Sequence, residues 1–345
     1  MNYSSSYWND LSEAVKSIPE VENLYNKSII ITGVTGMVCS TVADLLLYLN
    51  KECGAGIRII AAARSPEGLK ERFSGVDETE RPEFFAFDAT SSEKICYPGD
   101  IDYIIHGASN ANPEIYAKEP VETIMANIVG LERMLKLADE KKARILYVSS
   151  SEVYGIKDGM APFKEDDYGY LDILSGRAGY PSSKRAGESL AVAYSMEYGV
   201  DPVIVRPGHI YGPAIKDNDN RASAEFTRKA LAGEDIVMRS KGTQLRSYCY
   251  SLDCASAMLT VLIKGEKANA YNISNPDSIC TISGIAHAIA ETAGTEVRYA
   301  EVQEDQKGFS PMTNASLDSG KLEALGWRPA FGLEKGVESL LNALK

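Results

Sequence analysis

SIIITGVTGMVCSTVADLLLYL, residues 28–49, joins an apolar run of strand length to an apolar-periodic helix through a loop with glycines at 33 and 36. Glycine at these places permits a tight turn and close approach of a pyrophosphate, whose charge is stabilised by the unpaired N–H groups at the helix N-terminus. A strand running into such a loop and then into a helix predicts dinucleotide binding, with Gly33 and Gly36 as contacts. The third small position of the loop holds Cys39 instead of glycine, and a thiol is small enough for the helix to lie close to the strand.

Working outward, further apolar runs of strand length fall at 57–62, 84–87, 103–105, 145–148 and 202–205. Helical patterns separate them, among them VADLLLYLN, TIMANIVGLERMLKLADEKK and KRAGESLAVAYSMEYG. Short continuous strands alternating with helices mean a parallel sheet covered on both faces. The expected class is therefore α/β, a Rossmann-type doubly wound parallel sheet. Beyond residue 206 the texture changes to Gly, Pro, Asn and Asp punctuation with shorter elements, which predicts a smaller C-terminal α/β substrate lobe whose segments cross back to the sheet. The expected division is residues 1–26 as a helical extension packed against the sheet, 27–205 as the NAD(P)-binding domain and 206–345 as the substrate-binding lobe.

A net charge of -12 opposes binding to a phosphate backbone, which relies on clustered Lys and Arg. The six cysteines, at 39, 53, 96, 249, 254 and 280, form no C-x-x-C and have no His at ligand spacing, so no metal site is expected. The N-terminal residues lack the order of a signal peptide and no apolar run reaches membrane-spanning length, which predicts a cytoplasmic protein with no membrane contact.

The second strand, in IRIIAAARSPEGLKERF (57–73), ends without an acidic residue to accept from a ribose 2′-hydroxyl. Arg64 stands there, and a guanidinium suits a 2′-phosphate, so NADP is weighed beside NAD. Asp88, in FAFDAT (85–90), is an expected adenine contact.

The chemistry centres on SSSEVYG (149–155), which leaves the strand RILYV, and on YPSSK (180–184). Tyr180 and Lys184, four apart at the start of a helix, share one face. A tyrosine that works as a base near neutrality needs its pKa lowered by about three units, roughly 4 kcal/mol of preference for the anion. A neighbouring ammonium and an oxidised nicotinamide are the positive charges able to provide it. His106 and His287, at a strand end and in an apolar helix, are expected to be structural.

TGVTGMVCS, YVSSSEVYG and YPSSK, in this order, resemble the extended short-chain dehydrogenase/reductase family acting on nucleotide sugars, and LGWRPAFGLEKGVESLL (325–341) is similar to its closing motif. The resemblance implies bound NAD(P) and a nucleotide diphosphate sugar oxidised at C4. It gives Ser150 the role of orienting the 4-hydroxyl, Tyr180 that of base and Lys184 that of activating cation. It also implies cofactor contacts at Met37, Ala108, Asn127, Tyr180 and Lys184, and substrate contacts at Ser109, Ser151, Arg177, His209, Arg221 and Arg246.

Within the family, HGASNANPEIY (106–116), SSSEVYG, SGRAGYPSSKR (175–185) and GTQLRSYCY (242–250) are most similar to enzymes that decarboxylate UDP-glucuronate. That similarity implies UDP-glucuronate as substrate, with Arg246 orienting an anionic group and Glu152 as the acid beside the sugar. Two positions depart from the pattern: Ser150 stands for Thr, and His209 in RPGHIYGP (206–213) stands for Asn. A 4-epimerase and a 4,6-dehydratase are the alternative activities, Ser151 counting against the dehydratase, and a non-catalytic NAD(P)-binding regulator is the alternative outside enzymes. The resemblance further implies a homodimer built on the helices at 121–142 and 184–198, expected to be antiparallel.

Overall fold

The computed structural model describes residues 3–217, 219–300 and 312–345. The chain runs α1 (Ser5–Lys16), β1 (Ser28–Thr32), α2 (Met37–Cys53), β2 (Arg58–Ala63), α3 (Pro66–Arg72), β3 (Glu83–Ala86) and β4 (Tyr103–His106). It continues through α4 (Pro113–Lys118), α5 (Pro120–Lys141), β5 (Arg144–Val148), α6 (Gly179–Tyr198) and β6 (Asp201–Pro207). Then come β7 (His209–Tyr211), α7 (Ala222–Leu231), β8 (Ile236–Met238), β9 (Leu245–Tyr250), α8 (Ser251–Lys264) and β10 (Ala270–Ile273). The chain closes with β11 (Ile279–Thr281), α9 (Ile282–Ala293), β12 (Val297–Tyr299), β13 (Asn314–Ala315), α10 (Gly320–Glu323) and α11 (Leu333–Leu344).

Seven parallel strands form the main sheet in the order β10-β6-β5-β4-β1-β2-β3. Side chains alternate across it, as a period of two requires: Ile29 and Ile31 pack in the core that contains α2 and α8, while Ile30 packs in the core that contains α5. Both faces are covered, which is why the strands read as unbroken apolar runs. From β3 at one edge the chain crosses to β4 on the far side of β1, so strand order reverses between β1 and β4 and a crevice opens at their C-terminal ends.

The smaller lobe is built around β9, which pairs with β7 and β13 in parallel and with β11 antiparallel. A second pair, β8 with β12, completes it. Two segments beyond residue 206 return to the large sheet, β10 as its edge strand and α8 as the helix packed on α2. The closing motif docks on α8: the buried Asp253 carboxylate accepts from the N–H groups of Ala330 at 2.7 Å and Phe331 at 3.2 Å, and Trp327 Nε1 donates to Ser256 Oγ at 2.9 Å.

Two expectations need correcting. The first is direction: α5 and α6 run parallel, since Asn127 meets Ser183 near both starts and Glu132 meets Tyr194 further along. Each helix is a crossover between parallel strands and must return from the C-terminal to the N-terminal edge of the sheet. The second is the seat of α1, which lies on α2, α8 and α11 with Tyr7, Leu11 and Ala14 inward, because α2 and α8 already cover the sheet face beneath it.

Gly208 links β6 of the large sheet to β7 of the small one, packed against Ser247 of β9. A Cβ there would lie 2.6 Å from the carbonyl oxygen of Ser247 and 3.0 Å from its Cβ. Backbone cannot yield as a side chain can. Gly208→Ala is expected to lower the unfolding free energy by about 1–3 kcal/mol, measured by urea denaturation.

Candidate active site

A cleft of about 1070 Å³ runs from the glycine loop, across the C-terminal ends of the sheet strands, to β7 and β9. At its first end Gly33 has φ of +70°, and a Cβ on it would sit 2.7 Å from the carbonyl carbon and oxygen of Gly107. Only glycine fits that backbone contact. Gly36 begins α2 without a side-chain cap, so the N–H groups of its first turn, starting at Met37, are free of a capping side chain. Cys39 Sγ fills the space where a Cβ on Gly107 would stand, 2.3 Å away, which explains why the pair Cys39 and Gly107 packs this junction.

Thr32 ties β1 to β4. Its Oγ1 accepts from the N–H groups of Gly107 and Ala108, both at 3.1 Å, which leaves its own proton to donate to Nδ1 of His106 at 2.9 Å. Burial pushes the His106 pKa down to about 3, so the imidazole is neutral and structural. His287, by contrast, is exposed on α9. The Ser109 hydroxyl oxygen is buried in the cleft wall with no partner among the described residues, which suits a bound polar ligand.

Farther along the rim, Arg64 is exposed, and Asp88 accepts from the N–H of Thr90 at 2.9 Å and its hydroxyl at 2.8 Å. Those bonds first, and the charges of Arg64 and Arg133 after them, hold the Asp88 carboxyl below its usual range. A glycine cradle that a Cβ would fill and an uncapped helix start together fit the pyrophosphate of NAD.

In the middle of the cleft, Lys184 is fully enclosed. Its Nζ donates to the carbonyl oxygen of Val148 at 2.8 Å and lies 4.9 Å from the Tyr147 ring centroid and 5.9 Å from that of Tyr180. Burial lowers its pKa to about 7, against the opposing effects of Cys39 and Glu188. Burial raises the phenol of Tyr180, the charge of Glu152 acts in the same direction, and a hydrogen bond with Ser150 pulls the other way. Ser150 caps the short turn Ser151–Tyr154, its Oγ accepting from the N–H of Glu152 at 3.2 Å, which leaves the hydroxyl proton to donate elsewhere.

Glu152 itself is half-buried in the cleft wall, and desolvation raises its pKa while Arg177 and Arg246 oppose the rise. Tyr116 joins this group and was not singled out in the sequence. Its ring stacks on Tyr180 at 5.1 Å between centroids and 9° between planes, and its hydroxyl accepts from Arg177 Nη2 at 3.3 Å. The signal was a helix start, Asn112 followed by Pro113: the Asn112 side chain accepts from the N–H of Glu114 and begins the one-turn α4 that carries Tyr116.

At the far end stand Arg246, His209 and Arg221. Arg246 is 4% exposed, and its Nη1 donates to the backbone oxygen of Leu245 at 2.8 Å. His209 is exposed on the cleft wall, and desolvation, then the charges of Arg246 and Arg221, push its pKa down. A neutral imidazole results. Arg221 is paired with Asp219 at 2.6 Å. Ser151 also lines the cleft, as does every site residue picked out from the sequence except Asn127. The Asn127 amide instead donates to Ser183 Oγ at 2.9 Å, between α5 and α6. Ser183 in turn donates to the Tyr180 carbonyl at 2.8 Å, so Asn127 braces the start of α6 from behind.

The lowered pKa of Lys184 sets a sign for stability. The unfolded lysine titrates near 10.5 and the folded one near 7, so the penalty for enclosing the ammonium applies in full below pH 7 and fades as pH rises toward 10.5. In ligand-free protein, the unfolding free energy of wild type minus that of Lys184→Met is therefore expected to increase from pH 7 to pH 9.5, followed by urea denaturation at each pH.

The profile of the NAD dependent epimerase/dehydratase family matches residues 29–274. UDP-glucuronic acid decarboxylase 6 of Arabidopsis thaliana is 31% identical over 90% of this chain and 87% of its own length. UDP-glucuronic acid decarboxylase 1 of Xenopus tropicalis is 29% identical over 92% of this chain and 72% of its own. Among solved structures, UDP-glucose 4-epimerase of Thermotoga maritima superposes with a TM-score of 0.76 at 22% identity, over 92% of this chain and 98% of its own. The strand order, the glycine cradle and these matches agree: the chain belongs to the NAD dependent epimerase/dehydratase family.

Proposed function

We propose that this protein converts UDP-glucuronate into a UDP-pentose and carbon dioxide with NAD held in the glycine-loop end of the cleft. The observation that carries the reading is the half-buried Glu152, flanked by Arg177 and Arg246, beside the Ser150, Tyr180 and Lys184 set. One side of the site handles a hydroxyl, and the other presents positive charge to a carboxylate. Two relatives named as UDP-glucuronic acid decarboxylases support the choice of substrate.

Bound NAD would supply the means of removing hydride from C4 of the sugar and giving it back. Ser150 holds the 4-hydroxyl, and Tyr180 takes its proton. Burial opposes the phenolate, so the nearby Lys184 ammonium has to offset that cost, which it can do only while protonated. Oxidation at C4 makes the C6 carboxylate β to a ketone. Carbon dioxide then leaves with its bonding pair flowing into the ketone, and Arg246 and Arg177 hold the carboxylate while the charge moves. C5 of the resulting enolate needs one proton. Glu152 is suited to carry it, because its raised pKa favours the acid form.

At the nucleotide end, Arg221 and the neutral imidazole of His209 offer donors to the diphosphate, with Ser109 and Ser151 nearer the sugar. Arg64, exposed at the adenosine rim, remains the residue through which NADP would be accepted. In the same reading residues 27–205 bind the cofactor and 206–345 bind most of the substrate, and the protein acts in the cytoplasm as a source of sugar donor for polysaccharide synthesis. Exposed Val121, Ile124 and Met125 on α5 and Met196 and Tyr198 on α6 favour a homodimer through these helices. Light scattering is expected to give twice the 37.5 kDa of one chain, and a monomer mass would rule the dimer out.

Purified protein incubated with UDP-glucuronate and NAD is expected to yield a nucleotide sugar lighter by the mass of carbon dioxide. An unchanged mass with a new chromatographic peak would mean 4-epimerisation instead. Tyr180→Phe removes the proton acceptor and is expected to slow turnover by at least about 100-fold, while UDP affinity stays within a factor of about two because the variant adds no charge.

A further inference from the structure

We propose that α1, with the residues just before it, is a clasp on the adenosine half of the cofactor cleft, acting through Tyr3 and Tyr7 on an ion pair between α2 and α3. This rests on the reading that NAD occupies the glycine-loop end. The segment before residue 29 lies outside the stretch matched by the family profile, and nothing in the proposed chemistry uses it.

The geometry is specific. Tyr3 donates its hydroxyl to Oδ1 of Asp44 at 2.6 Å, and Tyr7 donates to Oδ2 at 2.8 Å. Arg72 Nη2 donates to the same Oδ2 at 2.5 Å, and its Nη1 donates to the Tyr3 hydroxyl at 3.0 Å. The Asp44 side chain is fully buried and that of Arg72 nearly so. Burial raises both phenols and the Asp44 charge raises them further, so the two tyrosines stay neutral donors.

What the four groups join matters more than how many bonds they make. Asp44 sits in the middle of α2, whose first turn borders the pyrophosphate end of the cleft. Arg72 ends α3, the seven-residue helix that follows Arg64 and Ser65 at the adenosine rim. Apart from Arg72, α3 is held mainly by Leu69 and the adjoining Phe73. A buried ion pair is favourable only when its remaining lone pairs are satisfied. Here the hydroxyls of Tyr7 on α1 and of Tyr3 just before it satisfy them, so the spacing of α2 and α3 depends on a segment that does not line the cleft. The same helix grips α2 near its end, where Trp8 Nε1 donates to Glu52 at 2.9 Å and Lys51 lies 5.7 Å from the Trp8 ring centroid. A cofactor kept through each turnover gains from a site whose two walls are fixed before it binds.

The test is calorimetric titration of the cofactor-free protein with NAD, and separately with UDP, in wild type and in Tyr3→Phe/Tyr7→Phe, which keeps both rings and removes both hydroxyls. The double variant is expected to raise the NAD dissociation constant about tenfold, the effect of losing two modest hydrogen bonds, while the UDP constant stays within about twofold. Tyr3→Phe alone, at a half-buried position, is expected to move the NAD constant the same way by less. An unchanged NAD constant in the double variant overturns the clasp, and so does equal weakening of NAD and UDP, which would mark a general loosening of the fold. Wild-type protein that binds no NAD would overturn the functional reading along with it.

Discussion

The reversal of strand order between β1 and β4 is the constraint on which the rest of the structure depends. A parallel sheet has its polar loops at the C-terminal ends of its strands, and the reversal is where two neighbouring loops turn away from each other and leave room for a ligand. Thr32 secures that junction with three hydrogen bonds, to Gly107, Ala108 and His106. Gly33 and Gly107 bring the two loops within a distance that no Cβ would tolerate. From there β5 delivers Ser149, Ser150 and Ser151, and α6 begins with Tyr180 and Lys184 on the same edge. The small lobe closes the other side by bringing Arg246 on β9 and His209 on β7 over these strand ends.

Electrostatics then divides the cleft into regions. Near the sheet, Lys184 is enclosed with a carbonyl oxygen and two aromatic rings around its ammonium and is poised near neutrality. Glu188, the nearest carboxylate on α6, is engaged elsewhere: it accepts from Ser149 at 2.6 Å and pairs with Arg206 at 2.7 Å. That engagement leaves Lys184 able to act on Tyr180 and not neutralised by a salt bridge. Beyond Tyr180, the half-buried Glu152 and the charges of Arg177 and Arg246 form a second region where a proton and a carboxylate can both be managed. The ring of Tyr116 lies parallel to Tyr180 and its hydroxyl accepts from Arg177, so it ties Tyr180 to the arginine side of the cleft.

The features legible in the sequence were local ones. A glycine pair between strand and helix, and a tyrosine four residues before a lysine, are set by backbone geometry over a single turn, and both stand where their spacing placed them. Tyr116 was not legible because its partner Tyr180 lies 64 residues away, and a stacked pair leaves no pattern in either segment. The hydrogen bond from the Asn127 amide to Ser183 was not legible either, because periodicity gives the face of a helix but not which neighbour meets it. The antiparallel reading of α5 and α6 failed because helix direction follows from strand topology and not from helix sequence. For α1 the apolar face was evident, but a second layer of helices beneath it was not.

The central claim is that C4 is oxidised and restored within one turnover while C6 is lost, and UDP-glucuronate carrying deuterium at C4 tests it most directly. If the account is right, mass spectrometry and proton NMR of the product will show a UDP-pentose that still carries the deuterium at C4. A UDP-pentose with hydrogen from solvent at C4, or a labelled product that retains its carboxylate, would contradict it.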